Sequence, residues 1–369
     1  MCVQPATRFA LLFAAQFMAL GAAMPFIPVA LAEGGLSPQQ VGLVLALGTA
    51  TRLLAGPLSG RLADSMGLRA VLVVGAALAA LTLPLLALVQ GVLLLAMVQL
   101  LHSAAVAPII PLSDAAAVAE MRRRPFDYGR VRAWGSITFI AGALLAGQAV
   151  GAAGPLGALL VAGAALLLTA LVCLGLPDAR TPPAARGPLW EPLRHALFRR
   201  LLPCSALIQG SHAVYYGFST LHWTAAGLSP GVIGALWAWG VVAEVALFLF
   251  GRRFADRLGL RGLAMLAAGA GVLRWVVTAG TTDVAALFAV QTLHAATFGA
   301  MHLAAIRAMG ALPAALGARA QTLHAALGVG LASGLLMLAS GPLYAALGGG
   351  AFLVMACLCA VALLGALRL

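Results

Sequence analysis

Side chains able to carry a charge or a proton sit inside stretches that are otherwise Ala, Leu, Gly and Val. Glu244 interrupts WAWGVVAEVALFLF and Arg274 interrupts GVLRWVV. The stretch VQTLHAATFGAMHLAAIRAM carries Gln291, His294, Phe298 and His302 on one helical face. An ionisable residue in apolar surroundings is expensive, and by default it marks a solute or proton pathway. Arg274 is the expected partner of Glu244, since a guanidinium grips a carboxylate through two parallel N–H bonds. Histidine can relay a proton or hold a carboxylate. This is chemistry for moving protons and holding a small anion.

A second polar set lies in SALIQGSHAVYYGFSTLHW, residues 205 to 223. At about 100° per residue, Ser205, Gln209, His212, Tyr216, Ser219 and Trp223 fall on one stripe, flanked by Tyr215, with His222 further round. Lipid does not solvate such a stripe, so it faces a wet cavity or partner helices. Six residues in register favour the cavity. Tyr215, Tyr216, Phe218, Trp223, Trp237 and Trp239 offer faces for an aromatic ring. Elsewhere, Asp114 in APIIPLSDAAAVAEM is placed to meet Arg132 in FDYGRVRAWGSITFIAG, where two segments face each other. A cytoplasmic cap pair is the plainer reading of those two.

The elements that position these residues follow from composition. The chain has 369 residues, is 63% hydrophobic and only 9% charged, and has a mean hydropathy of +1.03. A soluble domain of that length could not bury so much apolar surface. A spanning helix needs about 20 apolar residues, and the sequence predicts twelve spans: 9–31, 39–60, 70–89, 92–114, 132–153, 156–176, 201–223, 231–250, 262–280, 284–306, 319–340 and 343–366. The net charge of +12 comes from arginine alone. Arginines crowd alternate breaks (60–70, 122–132, 180–200, 251–261, 307–319), while LAEGGLSPQQ, VQGV, TTDV and LGGG have none. That alternation argues against nucleic acid as the partner and predicts both termini in the cytoplasm, in a cell inner (plasma) membrane. The five cysteines lack metal or redox spacing. No GxSxG, HExxH or nucleotide-binding glycine loop is present, so no enzymatic activity, metal or cofactor is expected.

The halves repeat. GLSPQQVG at 35–42 matches GLSPGVIG at 227–234, and GRLADSMGLRA at 60–70 matches GRRFADRLGLRG at 251–262. The Pro- and Arg-rich stretch 177–200 reads as a cytoplasmic linker between a six-helix bundle, 1–176, and a second, 201–369. Repeats of this kind place a solute site near the bilayer midplane. Arg52 occupies the repeat position of Glu244.

GRLADSMGLR, with its echo at 251–261, resembles the signature between spans two and three of the major facilitator superfamily. The resemblance implies a conformational-switch loop using Gly60, Arg61, Asp64, Gly251 and Asp256. PLSD…FDYGRVRAWGS, IQGSHAVYYGFSTLHWTAAG, GVVAEV, VLRWVV and QTLHAATFGAMHLAAIRA are similar to the 3-phenylpropionate permease group of that superfamily, a relative of the lactose permease branch, along essentially the whole chain. The resemblance implies an all-α fold and a proton-coupled symporter of a small organic solute. The stripe and its aromatics give Gln209, His212, Tyr215, Tyr216 and Trp223 as solute contacts, with Arg274 or His294 to hold a carboxylate; the resemblance adds Arg132 and Phe139 at the solute and implies proton coupling at Glu244, Asp114 or His294. The branch's coupling carboxylate one turn after the span-ten His is Thr297 here, which moves the proton carrier to Glu244. The sugar-stacking aromatic of span five is Phe139, which favours an aromatic carboxylate over a sugar. A sugar or nucleoside symporter and a drug/proton antiporter are the rival readings. The expected partners are solute, protons and lipid, with the chain acting as a monomer.

Overall fold

The computed structural model describes residues 4–177 and 188–369. Residues 178–187, which hold much of the predicted linker, lie outside the described residues. Among the described residues every regular element is a helix. Nine stretches are long and apolar enough to cross a membrane. Two of them, Tyr128–Leu174 and Gly317–Ala366, hold two spans each, and the broken pair Ala196–Gly210 and Ala213–Ala225 supplies one more, so that twelve spans result. At 1.5 Å per residue, Tyr128–Leu174 is far too long for a single crossing. It turns at Ala153 (φ −139°) and Gly154 (φ 60°), just before Pro155, which cannot continue a hydrogen-bonded ladder.

The sequence repeat is also a backbone repeat. Gly35 and Gly227, which open the two GLSP copies, have φ of 94° and 85°. Gly67 and Gly259, matched in the other motif, have φ of 89° and 64°. A Cβ would be strained at each of these turns. Ser37 then caps the helix Pro38–Met66 in a capping box with Gln40, and Ser229 accepts from the backbone N–H of Val232.

Several boundaries differ from those the sequence predicts. The helix predicted over 39–60 runs Pro38–Met66, so Gly60, Arg61 and Asp64 lie in its final turns and not in a loop. The turn itself is at Gly67. Gly251 separates Pro230–Phe250 from Arg252–Gly280, and Asp256 is likewise helical. The fourth span continues to Arg123, which places Asp114 inside the helix Ile109–Arg123. Hydropathy marks where the apolar region ends, but helical hydrogen bonding continues into water at no cost. Span seven is broken at Ser211–His212, and spans ten and eleven contain π-helical turns, Ala295–Ala300 and His324–Leu331. Such turns are a recurrent mark of functional segments.

The chain forms two compact units: the described residues of Met1–Pro183 with Gly227–Ala238, and those of Ala184–Ala226 with Trp239–Leu369. The start of span eight thus clusters with the first unit. In that unit Phe9, Leu12, Phe13, Leu68, Leu72 and Val131 form a buried core, and Gly21 and Gly142 let spans one and five touch backbone to backbone. In the second unit the core is largely alanine, Ala264, Ala267, Ala304, Ala308 and Ala362, capped by Phe198 and Met301.

Candidate functional site

In the second unit, Arg274 is fully buried in the helix Arg252–Gly280. Its guanidinium lies against two adjoining aromatic rings, 4.7 Å from the centroid of Tyr215 and 4.5 Å from that of Trp275. Nη2 donates to Gln291 Oε1 at 2.6 Å, and Gln291 Nε2 donates to the Tyr215 hydroxyl at 2.8 Å. Nη1 faces Thr297 Oγ1 (3.0 Å), His294 Nδ1 (3.1 Å) and His212 Nε2 (3.3 Å). These partners are uncharged side chains. Nε has no hydrogen-bond partner among the described residues.

The guanidinium fixes the histidine tautomers, because it has only donors. His212 Nδ1 lies 3.0 Å from the Ile208 carbonyl and must donate to it, which leaves Nε2 to accept. His294 Nδ1 must accept from Arg274, so its proton sits on Nε2. That nitrogen lies 3.5 Å from Glu244 Oε2. Arg274 and Glu244, expected to pair directly, are therefore joined through His294. The π-helical turn that follows brings Thr297 to the same guanidinium, and Gly240 lets span eight approach the His294 ring.

The predicted stripe in span seven is buried against protein. Ser205 contacts His324 Nε2 at 2.8 Å, and Ser211, absent from the predicted set, accepts from Trp275 Nε1 at 2.9 Å. Gln209, His212, Tyr215, Ser219 and Trp223 are all buried. Only Tyr216 in the stripe is partly open; its ring stacks on His212 at 5.7 Å. The break at Ser211–His212 rotates the second half of the stripe away from the simple 100° projection, and Ser219 Oγ and Trp223 Nε1 are buried without a hydrogen-bond partner among the described residues. The partly open side chains of this region are Tyr216, Glu244 and Phe298, the last stacked on His294 at 5.5 Å and 12°. His302 lies outside the Arg274 cluster, against Phe248. Trp239 donates to Thr292, and Trp237 is buried.

The first unit holds a different arrangement. Arg132 Nε lies 3.8 Å from Asp114 Oδ1, and the Tyr128 hydroxyl donates to the same oxygen at 2.9 Å. The Arg132 guanidinium covers the Phe17 ring at 3.9 Å. Both charged side chains are about a third exposed. Phe139 is buried, and its backbone meets Gly21 of span one. Arg52 donates to Thr49 on its own helix. Among the motif residues, Asp256 pairs with Arg307 and Arg252, whereas no ion pair of Asp64 forms among the described residues. By sequence Arg307 is one of the arginines of an alternate break, with a topological role only. No group of His, Cys, Asp and Glu able to hold a metal occurs among the described residues.

A family model described as MFS_1 like family matches residues 7–354. The chain is 36% identical over 365 residues to a probable 3-phenylpropionic acid transporter of Escherichia coli, covering 96% of each. It is 30% identical over 283 residues to a maltose permease of Geobacillus stearothermophilus, covering 74% of this chain and 71% of that one. The crystal structure of the nucleoside transporter NupG superposes with a TM-score of 0.85 over 99% of both chains at 16% identity. That likeness is one of fold.

Proposed function

This chain belongs to the MFS_1 like family, with the major facilitator fold and a place in its 3-phenylpropionate permease-like group; on the premise that it is a multi-pass transporter of a small solute, not an enzyme, we propose that it imports an aromatic carboxylate together with a proton by alternating access. The observation that carries the proposal is a fully buried arginine with neutral partners, separated from the Glu244 carboxylate by one histidine. The likeness to a probable 3-phenylpropionic acid transporter of Escherichia coli supports the solute class.

The charges define the cycle. With Glu244 ionised and no solute, Arg274 and Glu244 compensate each other across His294. A proton on Glu244 removes that compensation and leaves a buried cation. A solute carboxylate then supplies the missing charge at the His294 Nε2–H edge, and its ring packs on Tyr216 and Phe298. The empty ionised form and the proton-and-solute form are both neutral at this site. The form with only one of the two carries an unbalanced charge, which the low-dielectric interior penalises. Only the neutral forms reorient, which is symport. Arg274 acts here from behind the histidine and does not itself grip the solute. Asp114 and Arg132 are proposed to serve the first unit, and the Gly60–Asp64 and Gly251–Asp256 segments to support reorientation. The arginine-bearing turns and both termini are assigned to the cytoplasm of a cell inner membrane.

The test is uptake into vesicles of labelled phenylpropionate, galactoside and nucleoside, with and without a pH gradient. Phenylpropionate accumulation that needs the gradient supports the proposal. Gradient-driven uptake of a sugar or nucleoside instead would replace the solute, and efflux of organic cations would replace symport with antiport.

A further inference from the structure

The first unit carries an open groove between spans one and five, outside the Arg274 cluster. Spans one and five run in the same direction and touch closely where Gly21 meets Phe139 and Gly142 meets Met18. Toward their N-terminal ends they leave a groove of about 370 Å³, lined by Ala6, Ala10 and Ala14 on one side and Arg130, Val131 and Trp134 on the other. The stacked Phe9 and Phe126, with Phe13 against Tyr128, fill the inner side of this crossing.

The outer wall is graded in polarity. Arg130, Trp134 and Ile137 lie at i, i+4 and i+7 on one exposed stripe of the helix Tyr128–Leu174. The Arg130 side chain is 89% exposed, and Trp134 and Ile137 are about half exposed. From Arg130 the stripe rises about 6 Å to Trp134 and about 10 Å to Ile137. Cation, amphipathic aromatic and aliphatic side chain thus follow the order of headgroup, interface and hydrocarbon in a bilayer. The same end bears exposed Arg122, Arg123 and Arg124, so its charge complements an anion.

We propose that this groove seats an anionic phospholipid, with its phosphate on Arg130 and an acyl chain along Ala10, Ala14 and Trp134. Asp127 competes for Arg130, with its Oδ2 3.4 Å from Nε, but the pair is exposed and weak. Replacing Asp127 with Asn therefore frees Arg130 and strengthens lipid binding, which a merely structural Arg130 would not do.

The test is native mass spectrometry of the full-length chain in detergent, titrated with dioleoylphosphatidylglycerol or dioleoylphosphatidylcholine. The wild type is expected to retain the anionic lipid roughly five-fold better, the worth of one arginine near a headgroup. Arg130→Gln is expected to abolish that preference, Trp134→Ala to lower retention of both lipids, and Asp127→Asn to raise retention of the anionic one. The double variant Arg122→Gln/Arg123→Gln is the control for general surface charge and is expected to lower retention of the anionic lipid clearly less than Arg130→Gln does. Equal losses in the control and in Arg130→Gln would reduce the effect to diffuse surface charge and overturn the site. Equal retention of both lipids by the wild type would do the same. Disulfide cross-linking of two chains through Ala10→Cys in native membranes would overturn it in favour of a second copy as the occupant.

Discussion

Arg132 and Arg274 stand in helices of the two different units, and each has an acidic residue assigned to it by sequence. Their surroundings are opposite. Arg132 has its carboxylate in direct reach, is partly exposed and rests on a phenylalanine face. Arg274 is sealed from solvent, held by Gln291, Thr297 and two histidines, and is linked to Glu244 through an imidazole. A direct pair is self-sufficient and responds little to its surroundings. A bridged pair has a component whose proton position links the two charges, so the bridge can be altered without moving either helix. The contrast agrees with the proposed meeting of proton and solute in the second unit.

The largest expected difference is in stability. Arg274→Met leaves Gln291, Thr297 and two histidines without their donor inside a dry core, and should cost roughly 3–5 kcal/mol. Arg132→Met removes a half-exposed pair and should cost about 1 kcal/mol or less. Denaturation midpoints of the purified proteins compare the two, and equal losses would erase the distinction. Next comes transport. Glu244→Gln should abolish uphill accumulation while leaving solute exchange intact, whereas Asp114→Asn should slow transport with accumulation retained. If Glu244→Gln still accumulates solute down a pH gradient, the proton role passes to Asp114 or a histidine.

A smaller effect separates the bridge from its ends. Arg274→Lys keeps the charge but cannot hold Gln291, Thr297 and both imidazoles at once, so carboxylate binding should weaken by about 1–3 kcal/mol. A neutral ring analogue should bind to wild type and variant alike; parallel loss for both ligands would make Arg274 purely structural. The smallest effect contrasts the repeat motifs. Gly60 has open space around its Cβ position, so Gly60→Ala should change stability by no more than about 0.5 kcal/mol in either direction. Gly251 abuts the Leu247 carbonyl, and its Ala variant should be measurably weaker. Thermal melts of the two variants side by side decide it.

Residue types and spacing alone determined that the chain is helical and membrane-spanning, that its halves repeat, and that Glu244, Arg274 and His294 are the side chains to watch. Hydropathy reports what each residue prefers as solvent, and a buried charge stands out against alanine wherever it sits. The spacing of Gly35 with Gly227 and Gly67 with Gly259 likewise carried the turns, because only glycine adopts their φ without strain. Tertiary structure decided what touches what. Thr297 reads in sequence as a missing carboxylate, yet a π-helical turn makes it a ligand of Arg274. The polar stripe of span seven reads as one uniform wall, yet the structure sets Ser205 against His324 and His212 against Arg274 and leaves Tyr216 partly open. Arg307 reads as a topology signal, yet it closes on Asp256. Periodicity assumes an unbroken helix, and in these spans the departures from one set which polar groups meet; that geometry depends on contacts with residues 50 to 120 positions away, which no local pattern encodes.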